Sequence, residues 1–483
     1  MYVTEHSEPL SGFHILCICV IGYFVLRSLW RITFDPLVAV PGPRLCGITR
    51  IPYWYATIRG QNVFWLHKLH QEYGQVVRFG PRDVSFAGAD AWRPVNGIVW
   101  NKREKARSSG VQSMLTAEYE SHSKARRVFA PAFSERAARQ QQPLVKKYTN
   151  LLISKLAELS ANGQPVELTS LFNFTTFDIM AEMSFGCELR QLEKAEYSSW
   201  VKAIFGQLKA LPVMSIIEYY PILTWLFNMF QPKAIQQMRI DHCAFSAELS
   251  DRRVREGPTY EHDLWKYATI GLTTKEMHSN AEFFMVAGSE TVATLLAGAV
   301  FYLHKTPHVM KRLNKELREA FSTVEDMTFD ELAQLPYLNA CVKESMRIFP
   351  PVAVGSPRLV YKGGQEICGY WLPEATRISV HHYSTYHSAA NFKNPEEFAP
   401  ERWLNDPRYA EDIREAHQPF SSGPRDCLGR AFAKHETRMI LAAVLFQFDL
   451  ELCEESLDWD KRLLCYGLWD KGSMKCRLRP YRG

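Results

Sequence analysis

The sequence predicts a mainly α-helical fold with a small β portion, preceded by a single N-terminal membrane-anchor helix. Three observations predict this class. Apolar residues recur at helical spacing over most of residues 145–350, and short segments near residues 76–87, 357–381 and the C-terminus have the character of strands. The segment Pro9–Leu26 contains no Asp, Glu, Lys or Arg. A chain of 483 residues, 46% of them hydrophobic, can bury a large core, so we expect one large domain after the anchor.

The composition argues against several classes of protein. The formal net charge is +5, from 57 basic and 52 acidic residues, and this surplus is too small to predict nucleic-acid binding. The 11 cysteines are scattered and form no CxxC pair, which disfavours a zinc ribbon, a thioredoxin-type site and a dense disulfide scaffold. We therefore expect most thiols to be inert and buried, in a reducing compartment.

The charge-free N-terminal segment has the length of a minimal bilayer span. Two glutamates precede it, whereas Arg27 and Arg31 follow it. This asymmetry predicts that the segment crosses a membrane and leaves the rest of the chain on the cytoplasmic side. The alternative is a buried amphipathic helix with His14 on one face.

Prolines interrupt the chain after the anchor. Pro36 and the run Pro41-Gly42-Pro43 restrict the backbone of their own and the preceding residues, so we expect a stiff, non-helical spacer. We accordingly divide the chain into a transmembrane anchor over residues 1–30, a Pro-rich linker over residues 31–48 and a large domain over residues 49–483.

The domain begins with a helix and a hairpin. Residues 55–73 carry apolar side chains at helical spacing and predict one helix. Val76–Phe79 and Val84–Ala87 flank a Gly-Pro-Arg-Asp turn and predict a β-hairpin. Further along the chain, Leu151–Leu159 and Leu171–Phe185 predict two helices.

A long helix is predicted around residue 290. Thr273 and Glu276 have the spacing of a capping box, and helical character persists to about Lys305, where Pro307 stops it. A helix of this length crosses a whole domain.

The middle of that helix reads Ala287-Gly288-Ser289-Glu290-Thr291. Gly288 costs about 1 kcal/mol relative to alanine in a helix interior, so it requires a structural reason. One reason is the close approach of a flat group to the backbone, and the alternative is a helix–helix contact through small residues. Thr291 lies one turn after Ala287, so its hydroxyl can bond to that carbonyl and open the helix locally. Glu290, which directly precedes Thr291, adds a carboxylate at this position.

One cysteine stands in a distinctive setting. Gly423 and Gly429 permit tight turns on both sides of Cys427, and an apolar helix follows Arg430. Free N–H groups and the dipole at a helix N-terminus favour a thiolate. A thiolate on a rigid loop is suited to binding iron, whereas an isolated cysteine is more commonly a small buried hydrophobe.

The residues around this cysteine carry a known signature. Phe420, Gly423, Arg425, Cys427 and Gly429 match every fixed position of F-x-x-G-x-R-x-C-x-G, the heme-thiolate signature. The chain therefore resembles the cytochrome P450 family, and the resemblance implies the cytochrome P450 fold.

Further motifs follow in the order of that family. Glu344-x-x-Arg347 matches its E-x-x-R helix, and Arg402 in a Pro-Glu-Arg-Trp segment would complete a buried triad behind the heme. Residues 287–291 are similar to its oxygen-activation helix. The anchor and the Pro-rich segment resemble the microsomal form, and the overall layout resembles fungal members of secondary-metabolite pathways.

The resemblance implies a heme b cofactor whose iron takes the thiolate of Cys427 as its axial ligand. It also implies that Thr291 and Glu290, with ordered water, deliver protons during catalysis. Two positions depart from the usual pattern, since His122 stands where many members have tryptophan, and Val292 where many have a second hydroxyl. The implied heme contacts are Cys427, His122, Arg126, Arg358, Phe420 and Arg425, with His122 and the three arginines directed at the propionates.

The implied activity is an NADPH- and dioxygen-dependent monooxygenation in the endoplasmic reticulum membrane, with a single span and a cytoplasmic catalytic domain. The implied partner is NADPH–cytochrome P450 reductase, with cytochrome b5 as a further candidate. Nucleic acid is not expected as a partner. Five basic residues are candidates for reductase docking: Lys124, Arg127, Arg430, Lys434 and Arg438.

The substrate is expected to be a lipophilic small molecule, such as a terpenoid, polyketide or alkaloid intermediate of fungal secondary metabolism. By family position, the pocket would be lined by residues 100–121, Phe283–Thr291 and Val352–Ser356, with the loop Tyr466–Leu468 as an addition. The last three segments are mostly apolar.

Three other interpretations stay open. One is a heme-thiolate isomerase or dehydratase that needs no reductase, although such enzymes often lack the pair formed by Glu290 and Thr291. Another is a non-catalytic heme-binding membrane protein. The third is a non-heme metal site at His381, His382 and His387, which is disfavoured because adjacent residues of a strand point to opposite faces.

Overall fold

The structure is a computed structural model and describes residues 12–97, 112–230, 233–257 and 264–481, with only the backbone described over 233–243. The first residues of the predicted anchor and part of the predicted substrate-binding region, residues 100–111, lie outside the described residues.

Helices make up most of the described chain, and the prediction of a mainly α-helical fold with a small β portion is confirmed. In chain order the helices are α1 Gly12–Thr33, α2 Arg44–Ile48, α3 Ile51–Ile58, α4 Asn62–Tyr73, α5 Trp92–Asn96, α6 Tyr119–Phe129, α7 Glu135–Gln140, α8 Gln142–Ser160, α9 Leu168–Phe185, α10 Gln191–Lys194, α11 Ser199–Tyr219, α12 Pro221–Phe230, α13 Lys233–Glu256, α14 Leu264–Gly271, α15 Thr274–Lys305, α16 Pro307–Ala320, α17 Phe329–Gln334, α18 Pro336–Ile348, α19 His382–Tyr386 and α20 Arg430–Gln447.

The strands form small sheets at the edges of the helical body. They are β1 Val76–Gly80, β2 Asp83–Phe86, β3 Val166–Glu167, β4 Arg358–Leu359, β5 Gln365–Ile367, β6 Tyr370–Leu372, β7 Arg377–Val380, β8 Phe448–Leu452, β9 Leu464–Cys465, β10 Trp469–Asp470 and β11 Lys475–Pro480. One sheet has the order β1-β2-β7-β4, with β2 and β7 parallel, and another has the order β3-β11-β8. The predicted hairpin is confirmed, since Val76 pairs with Phe86 across β1 and β2.

Helix α15 crosses the middle of the largest hydrophobic core. It packs most extensively on α9 and also contacts α18 and α20. Its predicted capping box is present, because the Thr273 side chain accepts from the Glu276 N–H while the Glu276 carboxylate accepts from the Thr273 N–H. Pro307 ends this helix and begins α16, where the missing N–H of proline has no cost.

The single helix predicted over residues 55–73 is in fact two, α3 and α4. Gly60 adopts φ +67 between them, and the cap N–H groups bond back to the carbonyls of α3. The apolar spacing continues across the break, so periodicity alone did not reveal it.

The prediction of a non-helical linker is wrong. Pro36 begins a short 3-10 helix over Pro36–Ala39, and α2 follows Pro43, because proline fits the first turn of a helix. Leu37 is inaccessible, and Asp35 forms an ion pair with Arg78 at 3.3 Å. This segment therefore packs on the body of the protein.

Three described helices are long and apolar enough to cross a membrane, judged by length and composition. Thr274–Lys305 is largely buried in the core, and Ser199–Tyr219 packs partly on the body, whereas Gly12–Thr33 has no buried residue. Helix α1 is thus the candidate anchor. It extends beyond the charge-free segment, and Arg31 in its last turn donates to the Ile48 carbonyl at 2.8 Å.

Candidate functional site

Backbone contacts fix the loop before α20. The N–H of Cys427 donates to the Phe420 carbonyl at 2.8 Å, which closes the loop on itself. Gly423 adopts φ +78, and a Cβ there would lie 2.1 Å from the carbonyl oxygen of Asn96 at the end of α5. This close approach requires glycine and holds the loop in one position.

The side chain of Cys427 is accessible, whereas the other cysteines with described side chains in residues 34–481 are buried or half-buried. Desolvation among the surrounding protein atoms raises the pKa of the Cys427 thiol, although the Gly429 N–H and the Arg430 charge act in the opposite direction.

Helix α6 is joined to the same loop through Arg126. This arginine donates to the Asp426 carbonyl at 2.7 Å, and its guanidinium also contacts the Asp426 carboxylate. His122 lies one turn earlier on α6 and is buried. Arg126 thus joins α6 to the loop of Cys427, and His122 lies one turn earlier on the same helix.

Two other predicted arginines bond to backbone carbonyls. Arg425 donates to the carbonyl of Ala117 at 2.7 Å, just before α6, and burial lowers the pKa of its guanidinium. Arg358 is buried at the start of β4 and donates to the Ser356 carbonyl at 3.3 Å. A carbonyl partner leaves the positive charge of Arg425 uncompensated, so this arginine is suited to an additional anionic partner.

One face of α15 is less buried than the rest of the helix. Phe283, Ala287 and Thr291 are half-buried, while most neighbouring residues of the helix are buried. Residues four apart lie on one face, so these three side chains share one partly accessible face, called here the open face of α15. The Thr291 hydroxyl donates to the Ala287 carbonyl at 2.8 Å, as predicted, but the helix continues without the predicted opening.

Gly288 lies on another face and contacts α9. A Cβ at this position would lie 2.5 Å from the sulfur of Met180. This contact supports the helix–helix alternative that the sequence left open for Gly288.

The carboxylate of Glu290 is buried and forms an ion pair with the buried Lys471, 181 residues later in the chain. The Lys471 Nζ also donates to the Thr294 Oγ1 at 2.9 Å. Lys471 was missed because neither its spacing nor its local sequence distinguishes it from a surface lysine.

Glu290 also lines a cavity of about 250 Å³ together with Tyr466 and Leu468 of the predicted C-terminal loop. Phe205 and Leu208 of α11 also line this cavity, and the sequence pattern did not predict their position there.

The triad implied by the resemblance is formed. The carboxylate of Glu344 binds the guanidinium of Arg347, and the Oε1 of Glu344 lies 3.0 Å from the Nε of Arg402. Trp403 and the backbone N–H of Ala399 also donate to this carboxylate, each at 2.9 Å. All three charged side chains are buried, and each of their polar atoms has a hydrogen-bond partner, as a buried charged group requires.

Two of the five predicted docking residues have local carboxylate partners. Lys124 pairs with Glu276 at 3.0 Å, and Arg430 pairs with Asp426 at 2.8 Å. Their charges are partly compensated within the protein.

Lys434 and Arg438 form a basic cluster with the exposed Lys343, which was not predicted. Burial and then the charges of Arg438, Arg430 and Lys343 lower the pKa of Lys434. This basic cluster (Lys343, Lys434 and Arg438) lies on α18 and α20, near the loop of Cys427.

The histidines considered as a metal site have other partners. His381 bonds to the Ser384 hydroxyl at 2.6 Å, and His387 to the Tyr383 carbonyl at 2.9 Å. Within the described part of the chain, no group of three or more His, Cys, Asp or Glu could hold a metal ion.

Comparison with known proteins places this geometry in a family context. Residues 42–465 match the family model described as Cytochrome P450. The chain is similar to the cytochrome P450 monooxygenase efuB of Hormonema carpetanum, with 39% identity over 95% of this chain and 94% of the relative. It is also 37% identical to the cytochrome P450 monooxygenase FUM2 of Gibberella moniliformis, over 94% of this chain and all of the relative.

A hydroxylase and a solved structure are also similar. The averantin hydroxylase of Dothistroma septosporum is 34% identical over 95% of this chain and 90% of the relative. The crystal structure of the cytochrome P450DA heme domain superposes with a TM-score of 0.76 and 19% identity, over 92% of this chain and 98% of that chain. The solved structure shows the shared fold.

Proposed function

The chain belongs to the cytochrome P450 family and is a monooxygenase, and from this premise we propose that it is a membrane-anchored enzyme that oxidises a lipophilic small molecule with dioxygen and reductase-supplied electrons. The small molecule is proposed to be an intermediate of fungal secondary metabolism.

The family and fold imply a heme iron with a thiolate ligand, and we take the heme to be heme b. When bound, this group supplies the activation of dioxygen. The donor set of the chain fits it. Cys427 offers an accessible sulfur on a fixed loop, and Arg425 offers a cation with a carbonyl partner. Two propionates require such cationic partners.

The remaining proposed roles follow from position. Cys427 would hold the iron, with Phe420 closing the loop through its carbonyl. His122, Arg126 and Arg358 would orient the heme together with Arg425. Arg126 already contacts Asp426, so this arginine would hold both the loop and a propionate.

Thr291 is proposed to hold a proton donor at the open face of α15. Its hydroxyl is fixed by the Ala287 carbonyl, so its oxygen keeps a lone pair for a water molecule or a substrate group. Burial raises the pKa of Glu290, which brings this carboxylate closer to a group that exchanges protons near neutral pH.

The observation that carries the proposal is the accessible Cys427 in its fixed loop. The test compares Cys427→Ala with Cys453→Ala, which changes a buried cysteine of the C-terminal region. We expect Cys427→Ala to lose the thiolate-type spectrum of the reduced carbonyl complex and all product formation, while Cys453→Ala retains both. Retention of spectrum and product in Cys427→Ala would contradict the proposal.

Association with a membrane is supported by more than α1. Exposed apolar side chains continue from the base of α1 along elements that pack on each other, from α2 to α3, α11 and α12. This apolar collar consists of Phe34, Leu45, Ile51, Tyr55, Ile58, Ile222, Trp225, Met229 and Phe230. An exposed apolar surface of this extent suits contact with lipid. We propose the endoplasmic reticulum membrane, with the catalytic domain cytoplasmic.

The membrane orientation has a direct test. Proteolysis of sealed vesicles is expected to digest the catalytic domain from the cytoplasmic side, and alkaline extraction is expected to leave the full chain in the membrane fraction. Protection of the domain inside the vesicles would contradict this orientation.

The substrate class is supported by the apolar residues at the open face of α15 and by the fungal relatives, one of which is named as a hydroxylase. Membranes that contain the protein and a reductase should add one oxygen atom from labelled dioxygen to a terpenoid, polyketide or alkaloid in a candidate panel. Mass spectrometry detects the added atom, and product without NADPH would instead favour an isomerase or dehydratase.

A further inference from the structure

The ion pair between Glu290 and Lys471 is unusual in its burial. Each side chain keeps only 3% of its surface accessible. A buried lysine is costly unless its charge is compensated, and here both Glu290 and the Thr294 hydroxyl compensate it. Lys471 thus holds one oxygen of the carboxylate.

The other oxygen of the carboxylate, Oε2, is buried and has no protein hydrogen-bond partner. The same is true of the Oδ1 of Asn173, whose Nδ2 donates to the Tyr197 hydroxyl at 2.8 Å. Both residues line the cavity of about 250 Å³, which has room for several water molecules. Buried acceptors of this kind are normally satisfied by ordered water.

The cavity reaches the surface at its outer end. Lys209 of α11 and Asp470 line its rim and form an ion pair at 2.9 Å, and Lys209 is 61% exposed. A continuous set of polar groups therefore leads from solvent, past Tyr197 and Asn173, to the carboxylate of Glu290 on α15.

The charged and titratable groups around Glu290 come from several elements. Lys471 and Asp470 face it from the C-terminal hairpin, Tyr197 from the segment before α11, and Lys209 from α11. Burial raises the pKa of Glu290, and the charge and hydrogen bond of Lys471 oppose this change. Burial also raises the pKa of Tyr197 to about 12, so this residue acts as a neutral hydroxyl.

We propose that Lys471 is a positioning residue for the oxidation: it holds the Glu290 carboxylate at the inner end of the polar cavity, where that carboxylate passes protons from solvent toward Thr291. This inference rests on the proposed function. Reduction of dioxygen during monooxygenation consumes protons in the interior, so a path from solvent is required. Glu290 accepts one proton from cavity water and releases one on the Thr291 side for each proton passed, and the carboxylate is regenerated.

The test compares Lys471→Met, which removes the charge, with Lys471→Arg, which retains it. Lys475→Met is the matched control, since Lys475 lies four residues away, is 47% exposed and pairs only loosely with Glu455 at 3.6 Å. Each variant is purified as the full-length holoenzyme and assayed with a reductase for product formed per NADPH consumed.

We expect Lys471→Met to lower this coupling about tenfold at neutral pH and to move the acid limb of the pH profile to higher pH. The reason is that an unpaired buried carboxylate retains its proton. The heme content and the KM for substrate should not change. Lys471→Arg should recover most of the coupling, and Lys475→Met should behave as wild type.

A second readout does not depend on turnover. Without Lys471, the folded-state pKa of Glu290 lies further above its unfolded value, so the loss in free energy of unfolding of Lys471→Met relative to wild type should grow as pH rises from about 5 to 8. The double variant Lys471→Met/Glu290→Gln should lose this dependence and couple no worse than Glu290→Gln alone.

The outcomes separate the two proposals. Unchanged coupling and an unchanged pH profile in Lys471→Met, with normal wild-type turnover, would overturn the role of Lys471 and leave the proposed function intact. Absence of any wild-type turnover would overturn both. If Lys471→Met does not fold, the comparison of Lys471→Met/Glu290→Gln with Glu290→Gln decides. Coupling in the double variant clearly below that of Glu290→Gln would mean that Lys471 acts through another group, and this result would overturn the proposal.

Discussion

The guanidinium of Arg347 and the carboxylate of Glu344 form a two-point ion pair, with Nη2–Oε1 at 2.8 Å and Nε–Oε2 at 2.9 Å, and neither side chain is accessible to solvent. Arg347 also donates to the carbonyls of Tyr386, Pro395 and Glu397. The pair therefore joins α18 to the segments that carry α19 and the Pro-Glu-Arg-Trp motif, and it fixes their geometry.

The first prediction concerns this pair. Glu344→Gln leaves the buried guanidinium of Arg347 without a carboxylate, whereas Arg402 keeps Asp412, so we expect the free energy of unfolding to fall by about 3–5 kcal/mol. Denaturant titration of the holoenzyme measures the loss. Lys315→Gln, which removes an exposed partner of Glu319, is the control and should leave the midpoint unchanged. A loss below about 1 kcal/mol in Glu344→Gln would show that the triad is not a structural unit.

The second prediction concerns acid sensitivity. Burial lowers the pKa of His70 and of His382 to about 4 each, so both are neutral in the folded protein. The unfolded chain binds protons at these histidines below about pH 6.5, so stability is complete above that pH and is lost as pH falls toward 4. Each histidine contributes on the order of 3 kcal/mol to this loss.

Denaturant midpoints at pH 7.5, 6 and 5 measure this dependence. His382→Phe, which keeps a ring of similar size against Trp92, should weaken it. An equal change of the midpoint with pH in His382→Phe and in wild type would contradict the prediction.

The third prediction concerns Glu436, whose contribution to stability changes with pH in the opposite direction to that of the histidines. Burial raises the pKa of Glu436 well above its ordinary value, and neither carboxyl oxygen has a protein partner. The carboxyl is protonated in the folded state, so its contribution is complete below the unfolded pKa and is lost as pH rises. Glu436→Gln keeps the shape without the ionisation, and it should stabilise the protein more at pH 8 than at pH 5. An equal effect at both pH values would mean that water or another group holds Glu436 ionised.

The fourth prediction concerns the open face of α15. Thr291→Ala should retain heme and substrate binding, because the helix is continuous at this position. It should lose coupling and release hydrogen peroxide instead of product, since the hydroxyl that orients a proton donor is absent. Ser289→Ala, which removes a hydroxyl bonded to the Thr176 carbonyl on another face, is the control. Wild-type coupling in Thr291→Ala would remove the proton-delivery role.

The fifth prediction concerns the reductase. The basic cluster of Lys343, Lys434 and Arg438 concentrates positive charge near the loop of Cys427, so an acidic partner surface would be attracted to it. Lys343→Glu should raise the reductase concentration needed for half-maximal turnover, and salt should do the same. Lys315→Glu reverses an exposed lysine on α16 and is the matched control. A reductase titration that is insensitive to both changes would exclude docking at this cluster.

Local patterns predicted much of the fold. The capping box at Thr273, the length of α15 and the hairpin of β1 and β2 depend on neighbouring residues, and all three are confirmed. The signature around Cys427 is also local, and it identified the family before any contact was known. The break at Gly60 and the helical turns after Pro36 were missed, since glycine and proline permit several backbone geometries that only the surrounding packing selects.

The sequence by itself determined the family, the helical character of the chain and the residue types of the site, because these depend on spacing over one to a few helical turns. Only the tertiary structure decided which groups meet: that Gly288 contacts Met180, and that the Glu290 carboxylate is paired with Lys471. Such pairings depend on how distant elements pack and on how completely a charge is removed from water. Neither quantity is encoded in the local order of residues.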